Sequence, residues 1–148
     1  MIESEAITWN APDADHPARR ASQRSAATVA RGVKEDWVAL FAEDAVVEDP
    51  VGPSMFDPEG AGHHGHEGIA KFWDLAIAGV RSFHFTIQDS FANGSCCANV
   101  GTITTVLEDG TQADTDGVFV YRIDDDGLIT SMRAHWEIDR VMRTLRKT

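Results

Sequence analysis

The sequence predicts an α+β fold with helices packed on one face of a curled antiparallel sheet, and three observations predict it. The hydrophobic period changes from 3.6 to 2 near Ser82. The dipeptides Asn93-Gly94, Asp109-Gly110 and Asp126-Gly127 then cut the chain into strand-length pieces, each a good hairpin signal. Before the change, Ile69, Phe72, Trp73, Ala76 and Ile77 recur at i, i+3, i+4, i+7 and i+8, the apolar stripe of one helix.

In chain order, residues 1–15 are polar and proline-bearing and are expected to form a flexible arm, leaving 16–148 as a single domain. Asp15 and Pro17 read as a helix start, and that Ala-rich helix runs to Gly32. A second, short helix carries Trp37, Leu40 and Phe41 as one buried stripe. A strand from Ala45 to Asp49 follows and is ended by Pro50. Residues 51–65 are loop by composition, and Gly79 is placed to stop the helix that comes after them. Strands are expected near 83–91, 95–107, 112–123 and 128–138, as a four-stranded meander. Several are apolar on both parities, as in "GVFVYRI" and "LITSMRAHW". One face meets the helices, and a second copy of the chain is the simplest cover for the other, so a homodimer is expected.

The bulk composition excludes several classes. At 148 residues and 43% hydrophobic, the chain suits one domain with a core of its own. A net charge of −11 argues against nucleic acid and against an anionic membrane surface as partners. The basic end, "RVMRTLRKT", reads as a solvated tail. No basic n-region precedes an apolar run, and no apolar stretch approaches the roughly 20 residues of a membrane span. Cys96 and Cys97 are adjacent and face opposite sides of a strand, which suits free thiols and a reducing cytoplasm. His63, His64 and His66 lack a carboxylate or cysteine at zinc-site spacing, so no metal is expected; His66 and Glu67 suit a helix N-terminus instead. No phosphate-binding loop, nucleophile elbow or dinucleotide fingerprint is present, and no cofactor is expected.

The stretches "EDWVALFAEDAVVEDPVG", "HGHEGIAKFWDLAI" and "VFVYRIDDDGLITSMRAHWE" together resemble the ketosteroid isomerase branch of the nuclear-transport-factor-2-like superfamily, which also holds SnoaL-type polyketide cyclases. The resemblance covers roughly residues 20 to 139. It implies a cone-shaped, strongly curved sheet wrapped around three helices, an apolar cavity at the open end, and dimerisation through the outer face. Function is a separate matter, because this fold serves several chemistries and also plain binding.

By that resemblance Asp49, in "VEDP", takes the place of the isomerase general base. A carboxylate at a strand end inside an apolar cavity is poorly solvated, which raises its basicity without a metal. The alternative is a turn-capping Asp49. Glu48 falls on the opposite face and is expected to be solvated or ion-paired. The family's oxyanion-hole Tyr falls on Ser25 and its protonated Asp on Phe119, which donates nothing; Asp116 turns to the other face. Substitute polar contacts are sought in Ser25, Tyr121, His135 and Trp136, the last matching a family cavity Trp. Trp73, Phe85, Phe119 and Trp136 are expected to line the cavity. The expected function is cofactor-free proton transfer on an apolar, carbonyl-bearing small molecule of steroid or polyketide type. The alternatives are a SnoaL-like cyclase or dehydratase, or a non-catalytic hydrophobic-ligand-binding module.

Overall fold

In the computed structural model, which describes residues 5–147, the chain runs β1 (Ile7–Trp9), α1 (Pro17–Arg31), α2 (Lys34–Val38), β2 (Phe41–Glu48), β3 (His63–His64) and α3 (Gly65–Phe72). A π-turn over Trp73–Ile77 extends α3, and then come β4 (Val80–Asn93), β5 (Cys96–Leu107), β6 (Thr111–Ile123), β7 (Ile129–His135), α4 (Ile138–Met142) and β8 (Arg146–Lys147). One curved sheet has the order β1-β4-β5-β6-β7-β2-β3, with β8 on β6. The four-stranded antiparallel meander is its body, and β1 and β2 add to its two sides as parallel strands.

The bend of the sheet has a local cause. Gly101 and Gly117 are cross-strand partners between β5 and β6. A Cβ on Gly101 would overlap the carbonyl oxygen of Thr86, and one on Gly117 would lie 2.6 Å from that of His135. Glycine at both places lets the neighbouring backbones close in, and a register shift between Ile87 and Asp89 adds to the curl.

The concave face receives α1, which His16 caps through its ring Nδ1 (3.1 Å from the Ala18 N–H) and Gly32 ends in the left-handed conformation (φ 74°). The core centres on Trp37, whose ring meets Phe41 edge-on at 4.8 Å, Trp73 at 5.6 Å and Phe72 at 6.2 Å. Among the described residues, no helix is long and apolar enough to cross a membrane.

Several expectations are corrected. Within the arm expected over 1–15, Ile7–Trp9 pair in parallel with Phe85–Ile87. Three residues with an apolar member at each end are enough to complete an open sheet edge, and too few to show a period. The short helix ends at Val38, so Leu40 lies in a turn and Phe41 begins β2. The packing of Phe41 on Trp37, which imitates a helical stripe, comes from tertiary contact. The last long strand stops at His135, and Ile138–Met142 form a helix. The basic end is not simply solvated: Arg146 pairs with Asp114 (3.1 Å) and Lys147 with Asp109 (3.0 Å) as β8 joins β6.

Because Trp37 holds the aromatic cluster together, Trp37→Ala should cost about 3–5 kcal/mol in urea unfolding. Trp37→Phe, which keeps the packing and loses one indole hydrogen bond to Ser25, should cost nearer about 1 kcal/mol. Equal costs for the two variants would show that ring packing is not what Trp37 contributes.

Candidate functional site

Asp49 follows the last residue of β2, where alternation divides two acids. Glu48 turns outward and is bound by Arg133 (Nε to Oε2 2.5 Å), as an ion pair was expected to do. Asp49 turns inward and lines a cavity of about 360 Å³ between the sheet, α1 and the end of α3. The Asp49–Pro50 peptide is cis, and Val51 N–H, the next donor available, bonds Ala134 O at 2.9 Å.

The indole Nε1–H of Trp136 donates to Asp49 Oδ1 at 2.6 Å. Desolvation pushes the Asp49 pKa above the ordinary carboxylate value, and the bond from Trp136 and the nearby His63 ring work in the opposite direction. His63 packs edge-on against Phe72 at 5.2 Å, and its buried Nδ1 has no hydrogen-bond partner among the described residues.

A second polar group lines the same cavity. Ser25, 1% exposed, accepts from Trp37 Nε1 at 3.0 Å and meets the Tyr121 hydroxyl at a long 3.5 Å. The indole can only donate. The Tyr121 O–H donates to Ser25 Oγ, so the Ser25 proton is the one with no acceptor among the described residues, and both residues line the cavity. Burial pushes the Tyr121 pKa up to about 12, with Ser25 opposing and the Asp49 charge adding to the rise. The phenol therefore stays protonated and remains a donor throughout the neutral range.

The structure thus brings together Asp49, Ser25, Tyr121, Phe119, Phe85 and Trp136 around one cavity. Two expected residues are elsewhere. His135 is exposed, in a depression of the outer face beside Asp116, Val118 and Arg140, because alternation turns Ala134 inward and His135 out. Trp73 lies in the core against Trp37; the π-turn beginning at Trp73, marked by Ala78 N–H to Trp73 O at 2.9 Å, shifts the phase of the helix. Phe72, Leu75 and Ala76 line the cavity in its place. Trp136 is at the cavity, but its N–H is committed to the carboxylate, so it is a partner of Asp49 instead of a free oxyanion donor. Cys97 is buried and Cys96 half-buried, both as free thiols. His66 Nε2 is bound to Phe41 O and His64 Nε2 to Ala61 O, each at 2.7 Å.

The sequence reasoning missed Asn99 and Ser22, which line the cavity, and α4, whose Ile138, Val141 and Met142 do so too. The signal for Asn99 was present: it is the polar residue on the inward parity of "CCANVG".

Residues 22–132 match the SnoaL-like domain family. A Mycobacterium tuberculosis protein, RV0760c, solved in complex with estradiol-17beta-hemisuccinate, is 34% identical, with a TM-score of 0.79 over 89% of this chain and 99% of its own. A Δ5-3-ketosteroid isomerase from Mycobacterium sp. is 36% identical, with a TM-score of 0.79 over 90% of this chain and 100% of its own. A computationally designed 17-OHP binder is 31% identical, with a TM-score of 0.80 over 90% and 100%. A Mycobacterium tuberculosis LEH-like epoxide hydrolase, 20% identical with a TM-score of 0.70 over 86% of this chain and 88% of its own, shares the fold. With three quarters of its length matched and the isomerase alike from end to end, this chain belongs to the SnoaL-like domain family, on the ketosteroid isomerase branch of the nuclear-transport-factor-2-like superfamily.

Proposed function

We propose that the protein is a cofactor-free enzyme that binds an apolar, carbonyl-bearing small molecule of steroid or polyketide type and moves a proton on it, with Asp49 as the base. The observation that carries this is the surplus hydroxyl proton of the Ser25–Tyr121 pair, which shares one cavity with a buried carboxylate. The Asp49 carboxylate takes a proton from the carbon beside the carbonyl, and the electron pair moves onto the carbonyl oxygen. The free O–H of Ser25, held by the donors Trp37 and Tyr121, stabilises that enolate. Asp49 returns the proton to a conjugated carbon, leaving the enone and the original carboxylate. No redox partner is consumed. The similarity to a ketosteroid isomerase and to proteins whose structures concern estradiol-17beta-hemisuccinate and 17-OHP supports the ligand class. Phe119, where the family resemblance implies a proton-donating Asp, favours a second reading: binding of such a ligand without turnover.

Assembly is part of the same proposal. Val118 is 37% exposed and Phe91 62% exposed on the convex side, and a second copy of the chain is the occupant that would cover them. Sedimentation at micromolar concentration should show a dimer; a monomer would defeat this part alone.

The enzyme reading is tested with androst-5-ene-3,17-dione, by the ultraviolet absorbance of the conjugated enone. Asp49→Asn should lower the rate by at least about 10²-fold, and Ser25→Ala by about 10²–10³-fold. Ligand binding with no conversion by the unsubstituted protein would leave the binding-only reading standing.

Stability gives an independent check. Because the folded Asp49 pKa is raised, folding favours the protonated form. That stability is fully present below the ordinary value of 3.8 and is lost as pH rises through the folded pKa. Asn keeps the oxygen that accepts from Trp136 and carries no charge. Asp49→Asn should therefore melt with the unsubstituted protein near pH 4 and progressively above it toward pH 8, where those pH values are only about the limits of the titration. A capping Asp49 predicts the reverse, with about 1 kcal/mol lost at neutral pH.

A further inference from the structure

Where α1 meets the sheet, Arg19 lies 7% exposed, and its guanidinium reaches no carboxylate among the described residues. Nε donates to Ser90 Oγ at 3.0 Å, Nη2 to Ser90 O at 3.2 Å and Nη1 to Ala14 O at 2.7 Å. A guanidinium cannot accept, so this end of the network has a fixed direction. Ser90 Oγ receives the Arg19 proton and passes its own to Asn99 Oδ1 at 2.7 Å, where Cys97 Sγ also donates at 3.2 Å. Cys97 Sγ also lies 3.7 Å from Ser90 Oγ and 3.9 Å from Ser22 Oγ, and with Asn99 Oδ1 accepting from both Ser90 and Cys97 the oxygen is assigned to this side of the amide. Its nitrogen then donates to Ser22 Oγ at 3.0 Å, and Ser22 donates onward to Arg19 O at 2.7 Å. Each serine hydroxyl, the Cys97 thiol and the Asn99 oxygen in this ring has a partner. The second N–H of Asn99 has no acceptor among the described residues, on a side chain that is 4% exposed and lines the cavity.

The place of this donor relative to the other can be read from the elements that hold them. Ser22 receives Asn99 and Ser25 meets Tyr121, and these two serines stand one turn apart on α1, about 5–6 Å between β-carbons. On the sheet, Cys97 pairs with Tyr121 and Asn99 with Phe119, so Asn99 and Tyr121 are diagonal neighbours on one face. Phe119, which offers only a flat apolar ring, lies beside them. Two spare donors thus face the cavity about one helical turn apart.

Resting on the proposed small-molecule reading, we infer that Asn99 is a second ligand-anchoring and specificity-determining residue of this cavity. It selects ligands with a second hydrogen-bond acceptor about one helical turn from the reacting carbonyl. Closely spaced oxygens on a fused ring, as in polyketide-type aromatics, satisfy both donors. A steroid with an isolated ketone satisfies one and leaves the Asn99 N–H dry, which is unfavourable for a buried donor. The Arg19 charge polarises the chain Arg19–Ser90–Asn99 in the donating sense and so strengthens the N–H offered to the ligand.

The test compares 1,8-dihydroxyanthraquinone with 9,10-anthraquinone, two flat three-ring quinones of which only the first carries oxygens about one helical turn apart on one edge, by calorimetric titration of the full chain. The dihydroxy compound should bind about 10-fold more tightly, and Asn99→Leu should remove that preference by weakening the dihydroxy compound alone. If Asn99→Leu does not fold, the unsubstituted protein still decides: the Asn99 side-chain N–H resonance should move on adding the dihydroxy compound and stay in place with 9,10-anthraquinone. Equal affinity for both ligands, or an Asn99 resonance that ignores the dihydroxy compound, would overturn the Asn99 assignment while leaving the small-molecule reading intact. If neither these ligands nor androst-5-ene-3,17-dione binds, both fall together.

Discussion

The direction of hydrogen bonding inside this cavity is set by three side chains that can only donate. Trp136 donates to Asp49, Trp37 to Ser25, and Arg19 to Ser90 and through it to Asn99. Each obligate donor makes its partner an acceptor, so that any proton the partner carries must go elsewhere. At Asp49 the result is a carboxylate held in place with one oxygen engaged. At Ser25 and Asn99 it is a proton left over and turned toward the cavity. Most of the remaining wall is apolar, with Gln23, Thr105 and Thr115 as its other polar residues, so a few polar atoms decide how a guest is oriented.

Proline after Asp49 fits the same economy of polar groups. The β2 ladder with β7 is registered as far as Glu48–Arg133. Pro50 brings no backbone donor to the position after Asp49. The chain rejoins Ala134 at Val51. The two neighbouring acids are separated by environment: Glu48 shares a partly solvated ion pair, while Asp49 has, among the described residues, an indole donor and the field of His63.

Much of this was legible in the sequence, because period and turn chemistry are local. The stripe through Ile69 and Phe72, the Asn-Gly and Asp-Gly turns, and the acid before Pro50 each carry their own signal. What was hidden depends on contact at a distance or on a break in period. The π-turn at Trp73 leaves the composition of the stripe unchanged and shifts the phase of the residues after it, so that Leu75 joins Ala76 at the cavity. Strand β1 is too short to show alternation, and its position depends on the free edge of β4. Asn99 was readable as an oddity on an apolar parity, but its role depends on Arg19, Ser22 and Ser90, which lie up to 80 residues away in sequence, the largest gap being that from Arg19.

The Gly101–Gly117 pair separates the shape of this protein from its chemistry. The arc of the sheet is set at two positions that present no side chain to a guest. Lining residues such as Phe119 or Asn99 can therefore be exchanged without straightening the wall that carries them. The converse does not hold: one methyl group at either glycine would push two strands apart and reshape the chamber for every possible occupant. Inheritance on such a scaffold is free to vary what the vessel does while holding its curvature nearly fixed.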